Sequence, residues 1–457
     1  MSPKTGKQPE FYRPRNPEQS PFYKLVNEYF DEFERIYPET YEKTHGYWRP
    51  IIRKTIDKFL KCGDLKEGFA RVKCTKCGKE LFVSFSCKTR CCCPTCHQKR
   101  TLILAYTIQE NILEEVPHRQ FVFTLPKRLR IYFRYDRTLL GDLLKAAWKT
   151  VQDIFREEID CDDVYPAMIG GLQTFGDILN WNVHVHAVVS CGIFLESGKF
   201  IAIDTIPPER FLKKWEELVF AFLLKKGKIT PEIIDNMNSW KHSGFSVDTS
   251  VYIDKGDTKG MQRLIQYMVR CPFSLARFVR YTDEGKILYR ATKSSALPFP
   301  LLGNEKLKAG TKRNFEIFEP CDFLAEITQH IPNKGEHLIR YYGFYSNKQR
   351  GIRNKKGGQL TGEQHQKRRK KCSPTWAMLI KFIYEFDPLI CPVCQSEMKI
   401  IALIDGKKQP AVVKKILKHC ELWKDKAPRS PPQKKKLHVI EPEESPYDYT
   451  FFDSVCA

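Results

Sequence analysis

Residues 181–190 read Trp181-Asn-Val-His-Val-His-Ala-Val-Val-Ser190, a β-branched run with a histidine on either side of one valine. Side chains at positions i and i+2 of a strand point to the same face of its sheet. The run therefore predicts a strand on which His184 and His186 project together, close enough to share one metal ion. Strands with two half-exposed histidines are also common without a metal, so spacing alone leaves both interpretations open.

A second β-prone run lies upstream, at residues 167–175, and is joined to the first by residues 176–181, where Gly-Asp favours a turn. If 167–175 pairs with 182–190 as a hairpin, Gln173 falls opposite His184 on the same face. Gln173 is then a candidate third ligand. Two nitrogens and one amide oxygen would surround a point, with positions left open for a substrate oxygen.

The charge of the chain indicates a polyanionic partner. The 457 residues carry 76 Lys and Arg against 54 Asp and Glu, a formal net charge of +22. Each basic side chain that contacts a phosphate releases counterions, so this excess favours nucleic acid. The sequence has neither an apolar run of about 18 residues nor a basic-then-apolar signal segment. We therefore expect no membrane association and a cytoplasmic location.

Cysteine usage indicates a reducing compartment and structural zinc. Eight of the 17 cysteines fall between Cys62 and Cys96, and no secretory signal accompanies them. Cys74 and Cys77 form one CxxC pair and Cys93 and Cys96 another, at the spacing typical of a four-cysteine zinc site. We predict that these four thiolates bind one Zn²⁺ in a zinc-ribbon-like module.

Several cysteines are left over by this assignment. Cys62 and Cys87 are candidates for a second site or for plain burial, and Cys91 and Cys92 have no assigned role. Far downstream, Cys391-Pro-Val-Cys394 is half of a zinc knuckle, for which His419 and Cys420 are candidate partners.

A basic protein with a His-x-His metal site suggests chemistry on a phosphodiester. A tyrosine on a helix that faces the metal can attack phosphorus and form a phosphotyrosine link. Tyr267 lies in a predicted short helix, residues 260–270, with arginines nearby. Its position alone does not select it among 20 tyrosines, and by itself it is more typical of an ordinary half-buried helix residue.

Several motifs occur in a characteristic order along about residues 50–420. They are Gly68-Phe-Ala-Arg-Val-Lys-Cys-Thr-Lys-Cys77, Phe85-Ser-Cys-Lys88, Cys93-Pro-Thr-Cys96, Thr124-Leu-Pro-Lys-Arg128, Gln173-Thr-Phe-Gly-Asp-Ile-Leu-Asn180, His184-Val-His186, Ser243-Gly-Phe-Ser-Val247, Tyr267-Met-Val-Arg-Cys-Pro272, His330-Ile-Pro332, Arg340-Tyr-Tyr-Gly343 and Cys391-Pro-Val-Cys394. In this order the chain resembles rolling-circle insertion-sequence transposases of the HUH (His-hydrophobic-His) endonuclease superfamily, in the group with an N-terminal zinc-binding domain.

The resemblance implies a fold, a reaction and a substrate. The fold is α+β, an antiparallel-sheet nuclease core with flanking helices. In the implied reaction Tyr267 cleaves single-stranded DNA at the element ends, leaving a 5′-phosphotyrosine and a free 3′-OH, while His184 and His186 hold Mg²⁺ or Mn²⁺. The DNA is expected to contain hairpins, and the oligomeric state stays open. Candidate phosphate contacts, each of which has a solvated charged face as its alternative, are Lys127, Arg128, Arg270, Arg277 and Arg340.

Two departures from the family pattern are visible. Many relatives have two tyrosines four residues apart, whereas this chain has Arg263 at the earlier position and so resembles the single-tyrosine branch. Pro-Pro is common after the tyrosine helix, where this chain has Cys271-Pro272.

The predicted organisation has six units. They are a flexible arm (1–20), a helical and zinc-binding domain (21–100), the nuclease domain (101–347), a basic linker (348–373), a small C-terminal CxxC unit (374–423) and a disordered tail (424–457). Two other functions stay open at this point. One is a plasmid rolling-circle replication initiator or relaxase with the same chemistry, and the other is a non-catalytic zinc-dependent DNA-binding regulator.

Overall fold

The computed structural model describes residues 17–159, 164–281, 286–291, 315–355 and 389–423. The helices are α1 (Pro21–Thr40), α2 (Glu42–His45), α3 (Pro50–Leu60), α4 (Pro94–Asn111), α5 (Lys127–Tyr135), α6 (Leu139–Ile159), α7 (Pro208–Lys225), α8 (Pro231–Asn238), α9 (Thr258–Met268), α10 (Pro320–Thr328), α11 (Asn347–Lys355) and α12 (Pro410–His419). The strands are β1 (Gly68–Cys74), β2 (Glu80–Ser84), β3 (His118–Thr124), β4 (Tyr165–Phe175), β5 (Trp181–Phe194), β6 (Phe200–Ala202), β7 (Ser246–Asp248), β8 (Tyr252–Ile253), β9 (Phe278–Tyr281), β10 (Ile287–Arg290), β11 (Phe315–Phe318), β12 (Ile339–Gly343) and β13 (Met398–Asp405).

The central sheet has the strand order β12-β4-β5-β3-β7, with β6 added to β5 and β8 to β3. Its neighbouring strands pair antiparallel. In the β4–β5 hairpin Gln173 lies opposite His184, and Gly171 lies opposite His186. The predicted α+β class and the predicted hairpin register are both confirmed.

The two faces of the central sheet bury different sets of helices. Val183 and Val185 of β5 point into a large apolar core with residues of α5, α6, α7 and α8. Val188 of the same strand points the other way, into a core with residues of α4 and α9. Because strand side chains alternate, His184 and His186 project on this second face, towards α9.

The N-terminal helices share a core with much later parts of the chain. Residues of α1 and α3 pack with residues of β9, β10 and α10. The Arg49 guanidinium reinforces this contact by donating to the carbonyls of Thr328 (2.9 Å) and Gln329 (3.2 Å). The predicted domain boundary at residue 100 therefore does not separate two cores.

The small sheet of the cysteine-rich region has the order β13-β1-β2. Its third strand, β13, comes from the far end of the chain and pairs with β1 from Gly68–Asp405 to Cys74–Met398. Within residues 389–423, the prediction of a separate C-terminal unit is therefore wrong. The reason is that β13 completes an apolar sheet face, on which Val413 and Leu417 of α12 cover Phe69.

Other predicted segments are described only in part. The predicted basic linker begins as helix α11, and its residues 356–373 lie outside the described residues. The same holds for residues 1–16, 374–388 and 424–457. Among the helices of the described ranges, none has the length and apolar character needed to span a bilayer.

Candidate metal centres and the facing tyrosine

His184 and His186 form a buried pair on the α9 face of the sheet. Their ring centroids are 4.8 Å apart, and the residues are 8% and 0% exposed. Burial lowers the pKa of His184 to about 4 and that of His186 well below its ordinary value. Both imidazoles are therefore neutral at pH 7, which is the form that binds metal ions. His184 Nδ1 lies 2.9 Å from the Asn182 carbonyl oxygen, so its proton sits on Nδ1 and its Nε2 keeps a lone pair.

Gln120 of β3 is the neighbour that controls the second imidazole. Its amide lies 3.1 Å from His186 Nδ1, and the residue is fully buried. The atom nearest Nδ1 is the amide nitrogen Nε2, which donates to it and leaves the imidazole proton on His186 Nε2. A 180° rotation of the amide brings Oε1 to the same place to accept from Nδ1–H, and His186 Nε2 then carries the lone pair that a metal needs. Sequence reasoning missed Gln120. It becomes visible only once the β3–β5 register, Val122 opposite His186, is known.

Gln173 connects the histidine strand to the helix in front of it. Its side-chain N–H groups donate to the carbonyls of Tyr267 (2.8 Å) and Met268 (3.1 Å), at the end of α9. Its carbonyl oxygen Oε1 is buried and has no hydrogen-bond partner among the described residues. One end of the amide therefore positions α9, and the other remains available as a ligand.

This face of the sheet carries an unusual set of buried polar atoms. Within the described part of the chain, His186 Nε2, Gln120 Oε1, Gln173 Oε1 and Asn182 Oδ1 make no hydrogen bond. Buried polar atoms are normally paired, because an unpaired one costs roughly 1–3 kcal/mol. Amide oxygens are ligands suited to Mg²⁺ and Mn²⁺, and imidazole nitrogens are ligands suited to transition-metal ions. A mixed set of nitrogen and oxygen ligands therefore fits a divalent transition-metal ion such as Mn²⁺ better than Mg²⁺. Asn182, two residues before His184, is a candidate metal ligand through its side-chain oxygen, and sequence reasoning did not identify it.

Tyr267 lies directly against the histidine pair. Its ring meets the His186 ring edge-on, with centroids 5.2 Å apart, and the Arg270 guanidinium lies 4.3 Å above it. Gly171, opposite His186, leaves room for the end of α9, since a Cβ on that residue would lie 3.1 Å from Met268 Cε and 3.1 Å from Ile339 Cδ1. The side chain of Tyr267 is buried, with the residue only 1% exposed.

The five basic residues predicted to contact phosphates have different surroundings in the structure. Arg270 is the one beside Tyr267, whereas Lys127 and Arg128 are exposed at the start of α5. Arg277 is engaged inside the protein, where it pairs with Asp177 (3.0 Å) and donates to the Arg290 carbonyl (2.7 Å). Arg340 is half-buried on β12.

A basic cavity of about 200 Å³ adjoins the site. Gln173 and Arg270 line it from the site, while Arg90, Arg100 and His337 line it from other segments. Three arginines around one cavity form a positive environment suited to a phosphate group.

The turn that sets the hairpin register is clamped by His330. Its two ring nitrogens contact the Thr174 hydroxyl (3.0 Å) and the Leu179 carbonyl (2.8 Å). Leu179 has a φ of 61°, a left-handed conformation that costs a residue with a Cβ roughly 1–2 kcal/mol. His330 therefore holds a strained turn and, through it, the alignment of Gln173 with His184.

The cysteines form two groups rather than the one that was predicted. Cys93 and Cys96 meet Cys62 and Cys87, whereas Cys74 and Cys77 meet Cys391 and Cys394; within each group all four sulfurs lie within 4.8 Å of one another. The prediction that Cys74, Cys77, Cys93 and Cys96 bind one zinc together is wrong in this respect. The candidate pairing of Cys391 and Cys394 with His419 and Cys420 is replaced by a pairing with Cys74 and Cys77. The error has a physical cause, because β1 and β2 carry the first CxxC pair away from α4, which begins between Cys93 and Cys96.

The first group is buried in the core shared by the N-terminal helices. Cys62 Sγ lies 3.5 Å from Cys96 Sγ and 3.8 Å from Cys93 Sγ, and Cys87 Sγ lies 3.5 Å from Cys96 Sγ. Tetrahedral thiolates at the usual Zn–S distance stand about 3.8 Å apart. These four sulfurs therefore fit a structural zinc ion.

Comparison with known proteins defines the class to which these features belong. A family described as "Putative transposase" matches residues 167–352, which include the histidine pair and Tyr267. A family described as "Transposase zinc-binding domain" matches residues 32–125, which include the first cysteine group. The protein is a transposase.

Two individual relatives sharpen this assignment. The chain is 27% identical over 382 residues to the transposase for insertion sequence element IS801 of Pseudomonas savastanoi pv. phaseolicola, covering 79% of this chain and 86% of that protein. It is 23% identical over 343 residues to the putative transposase y4qJ of Sinorhizobium fredii, covering 69% and 80%. No solved structure matches the chain. The two segments and the two relatives bear out the predicted resemblance to insertion-sequence transposases with an N-terminal zinc-binding domain.

Proposed function

We propose that this transposase nicks single-stranded DNA at the ends of its element through Tyr267, assisted by a divalent ion on His184 and His186. The observation that carries the proposal is the contact between the ring of Tyr267 and the ring of His186, 5.2 Å apart between centroids. A second supporting observation concerns the histidine pair, His184 and His186. The buried His186 Nε2 atom, which would bind the ion, has no hydrogen-bond partner among the described residues.

In this reaction the Tyr267 oxygen attacks the scissile phosphorus and releases its phenolic proton to solvent. The bond between phosphorus and the 3′ oxygen breaks, and that oxygen takes up a proton and leaves as a free 3′-OH. One phosphodiester is replaced by one 5′-phosphotyrosine, so the bond energy is kept and strand transfer needs no ATP. A Mg²⁺ or Mn²⁺ ion held by His184, His186 and Gln173 would polarise the scissile phosphate and ease departure of the 3′ oxygen.

The other residues of the site bind and orient. Gln120 fixes the His186 ring, and Gln173 fixes the end of α9 through two helix carbonyls. The Arg270 guanidinium, stacked on Tyr267 and lining the basic cavity, is suited to receive the phosphate. Because Tyr267 is 1% exposed, DNA binding has to uncover its hydroxyl, and withdrawal of Arg270 towards the phosphate is one movement that does so.

The zinc of the first cysteine group has a structural role in this proposal. All four positions of a tetrahedral site are filled by Cys62, Cys87, Cys93 and Cys96, which leaves none for a substrate. The ion would hold the start of α4, whose His97 and Thr101 side chains contact the Val269 carbonyl just after the tyrosine helix.

The test is a covalent-adduct assay. Purified protein is mixed with a single-stranded oligonucleotide that contains an element end, in the presence of Mn²⁺, and a protein–DNA adduct is resolved on a denaturing gel. We expect an adduct with the wild type and none with Tyr267→Phe. Peptide mass analysis of the wild-type adduct should locate the nucleotide on Tyr267.

Tyr342→Phe is the matched control, because the Tyr342 hydroxyl has no hydrogen-bond partner among the described residues. It should form the adduct at the wild-type rate. His184→Ala with His186→Ala should abolish nicking at every Mn²⁺ concentration. An adduct with Tyr267→Phe, or wild-type nicking by the histidine double variant, would refute the assignment.

A further inference from the structure

The second cysteine group takes no part in the proposed reaction and is not contained in either matched family segment, since Cys391 and Cys394 lie beyond both. We propose that Cys74, Cys77, Cys391 and Cys394 form a second zinc centre that fastens the C-terminal segment to the N-terminal sheet. This inference is independent of the role of Tyr267.

The sulfur geometry fits one tetrahedral ion. Cys74 Sγ lies 3.4 Å from Cys394 Sγ, and Cys77 Sγ lies 3.5 Å from Cys391 Sγ. All four sulfurs lie within 4.8 Å of one another, against about 3.8 Å for the edge of a Zn–thiolate tetrahedron. A disulfide needs about 2.05 Å, so these sulfurs are thiols gathered around one point.

The backbone around the sulfurs is arranged as two facing knuckles. The Cys77 amide donates to Cys74 Sγ at 3.5 Å, and the Val393 amide donates to Cys391 Sγ at 3.4 Å. Such N–H···S bonds stabilise thiolates, and thiolates are the species that bind zinc. The knuckles are also joined to each other, since both the amide and the hydroxyl of Thr75 donate to the Glu397 carbonyl, at 3.3 Å and 3.1 Å.

The apolar packing under these knuckles is too small to explain the cluster by itself. Its fully buried members are Ala70, Val72, Cys74, Val83, Cys391 and Met398. The opposite face of the same sheet adds Phe69, Ile404, Val413 and Leu417. A unit with two such small cores usually needs a metal or a disulfide to be stable. Zinc supplies that stability and explains why four thiols converge from positions more than 300 residues apart.

The two centres differ in access to solvent, which gives a means of telling them apart. Cys77 is exposed and Cys394 half-buried, whereas Cys62, Cys93 and Cys96 are buried. A chelator should therefore remove the second zinc first.

The experiment measures zinc per chain in the full-length protein, by elemental analysis after exhaustive dialysis. We expect two zinc ions in the wild type and one in Cys391→Ser with Cys394→Ser. A second measurement follows zinc release to a chromogenic chelator. The wild type should show a fast and a slow phase of equal amplitude, and the double variant the slow phase alone.

The matched control is His419→Ala with Cys420→Ser, which removes the nearest other metal-binding residues of the same segment. It should keep two zinc ions and both phases. One zinc in the wild type, or two in the Cys391 and Cys394 variant, would overturn the proposal.

A second experiment tests the fastening itself and needs no activity. A specific protease site placed at Gly357-Gly358 allows the chain to be cut once between the two halves of the centre. The fragments of the wild-type sequence should remain together in size-exclusion chromatography until the chelator has removed the zinc of the second cysteine group. Fragments carrying Cys391→Ser and Cys394→Ser should separate at least ten times more readily on dilution. Equal separation with and without the cysteines would refute the fastening role.

Discussion

Replacing Gln173 with leucine tests whether the site depends on how its helix is held. The variant removes both N–H donors to the end of α9. The Met268 carbonyl is the more affected acceptor, because the residue four positions later is Pro272, which has no N–H to continue the helix pattern. The Tyr267 carbonyl also accepts from the Arg270 amide, at 3.3 Å, and so is only partly deprived.

The expected loss of stability follows from these two acceptors. A buried carbonyl left unpaired costs about 1–3 kcal/mol, and a lost shared bond about 0.5–1.5 kcal/mol, so we expect a decrease of about 2–4 kcal/mol in the free energy of unfolding. For a domain of this size that corresponds to a decrease of about 4–16 °C in Tm. Thermal unfolding followed by circular dichroism measures it. Gln120→Leu is the control, since Gln120 contacts an imidazole rather than the helix, and it should lose less stability.

Addition of Mn²⁺ separates the positioning role of Gln173 from a ligand role. If Oε1 binds the ion, Mn²⁺ should raise the Tm of the wild type more than that of Gln173→Leu, because ligand binding stabilises the folded state. Gln173→Glu restores an oxygen ligand without the donors, so it should have a low Tm without Mn²⁺ and a large increase with it. A Tm of Gln173→Leu within 1 °C of the wild type would refute the positioning argument, and equal Mn²⁺ shifts in all three proteins would refute the ligand.

Three further predictions concern the supports of the site. Glu336→Gln should lower the free energy of unfolding at pH 7 by about 3 kcal/mol, because it leaves the buried positive charge of Arg137 without the carboxylate that lies 2.7 Å away. Burial raises the pKa of Glu336, but its pairing with Arg137 outweighs this and the net pKa is lowered. The stabilisation from the ion pair is therefore complete above the ordinary carboxyl pKa and is lost as the pH falls from there through the lowered pKa of Glu336. The difference in unfolding free energy between wild type and variant, measured by urea titration, should vanish below that lowered pKa. Gly171→Val should slow adduct formation at least tenfold, because the two methyl groups of valine would push α9 away from the sheet. Gly171→Ala should slow it less, since its Cβ would lie 3.1 Å from the end of the Met268 side chain, which can move. Equal rates of adduct formation in the two variants would contradict this reasoning. His330→Leu should lower Tm by several degrees, because it removes the contacts with Thr174 and Leu179 that hold the turn. It should also slow nicking of the same oligonucleotide that is used for the wild type. An unchanged Tm would exclude a role of His330 in holding this turn.

The parts of the fold that were predictable are those set by short-range pattern. Alternation along residues 182–190 and the Gly-Asp turn before them were enough to give the hairpin and the pairing of Gln173 with His184. The helices over 139–159 and 208–225 likewise follow from their apolar spacing. By contrast, residues 245–253 alternate as one strand but form β7 and β8 with a break between them, because both pair with β3 around an irregular stretch.

The parts that were not predictable depend on contacts between distant segments. Gln120 meets His186 across 66 positions, and His330 meets Thr174 across 156. The local sequence does not show which side chains these two residues contact, although His330 belongs to one of the motifs of the family resemblance. The cysteine assignment failed for the same reason, since spacing favours the nearest CxxC pair while the sulfurs of Cys74 and Cys394 meet across 320 positions. The closeness of Tyr267 to the histidines was inferred from family resemblance rather than from the residues themselves.

The pairing of β1 with β13 has a consequence for how the protein is made. During synthesis β1 and β2 leave the ribosome early, but their third strand follows only after residues 85–397, which are 397 − 84 = 313 further residues. At about 5–20 residues per second, the unfinished sheet waits roughly 15–65 s with the edge of β1 unpaired. The last strand of the central sheet, β12, is made before β13, so the central sheet can be complete while the small sheet is not. The nascent chain therefore has the core with the histidine pair and Tyr267 before its N-terminal module is complete. Ribosome stalling or premature termination within this window would release a chain with an open strand edge, which is a surface prone to aggregation.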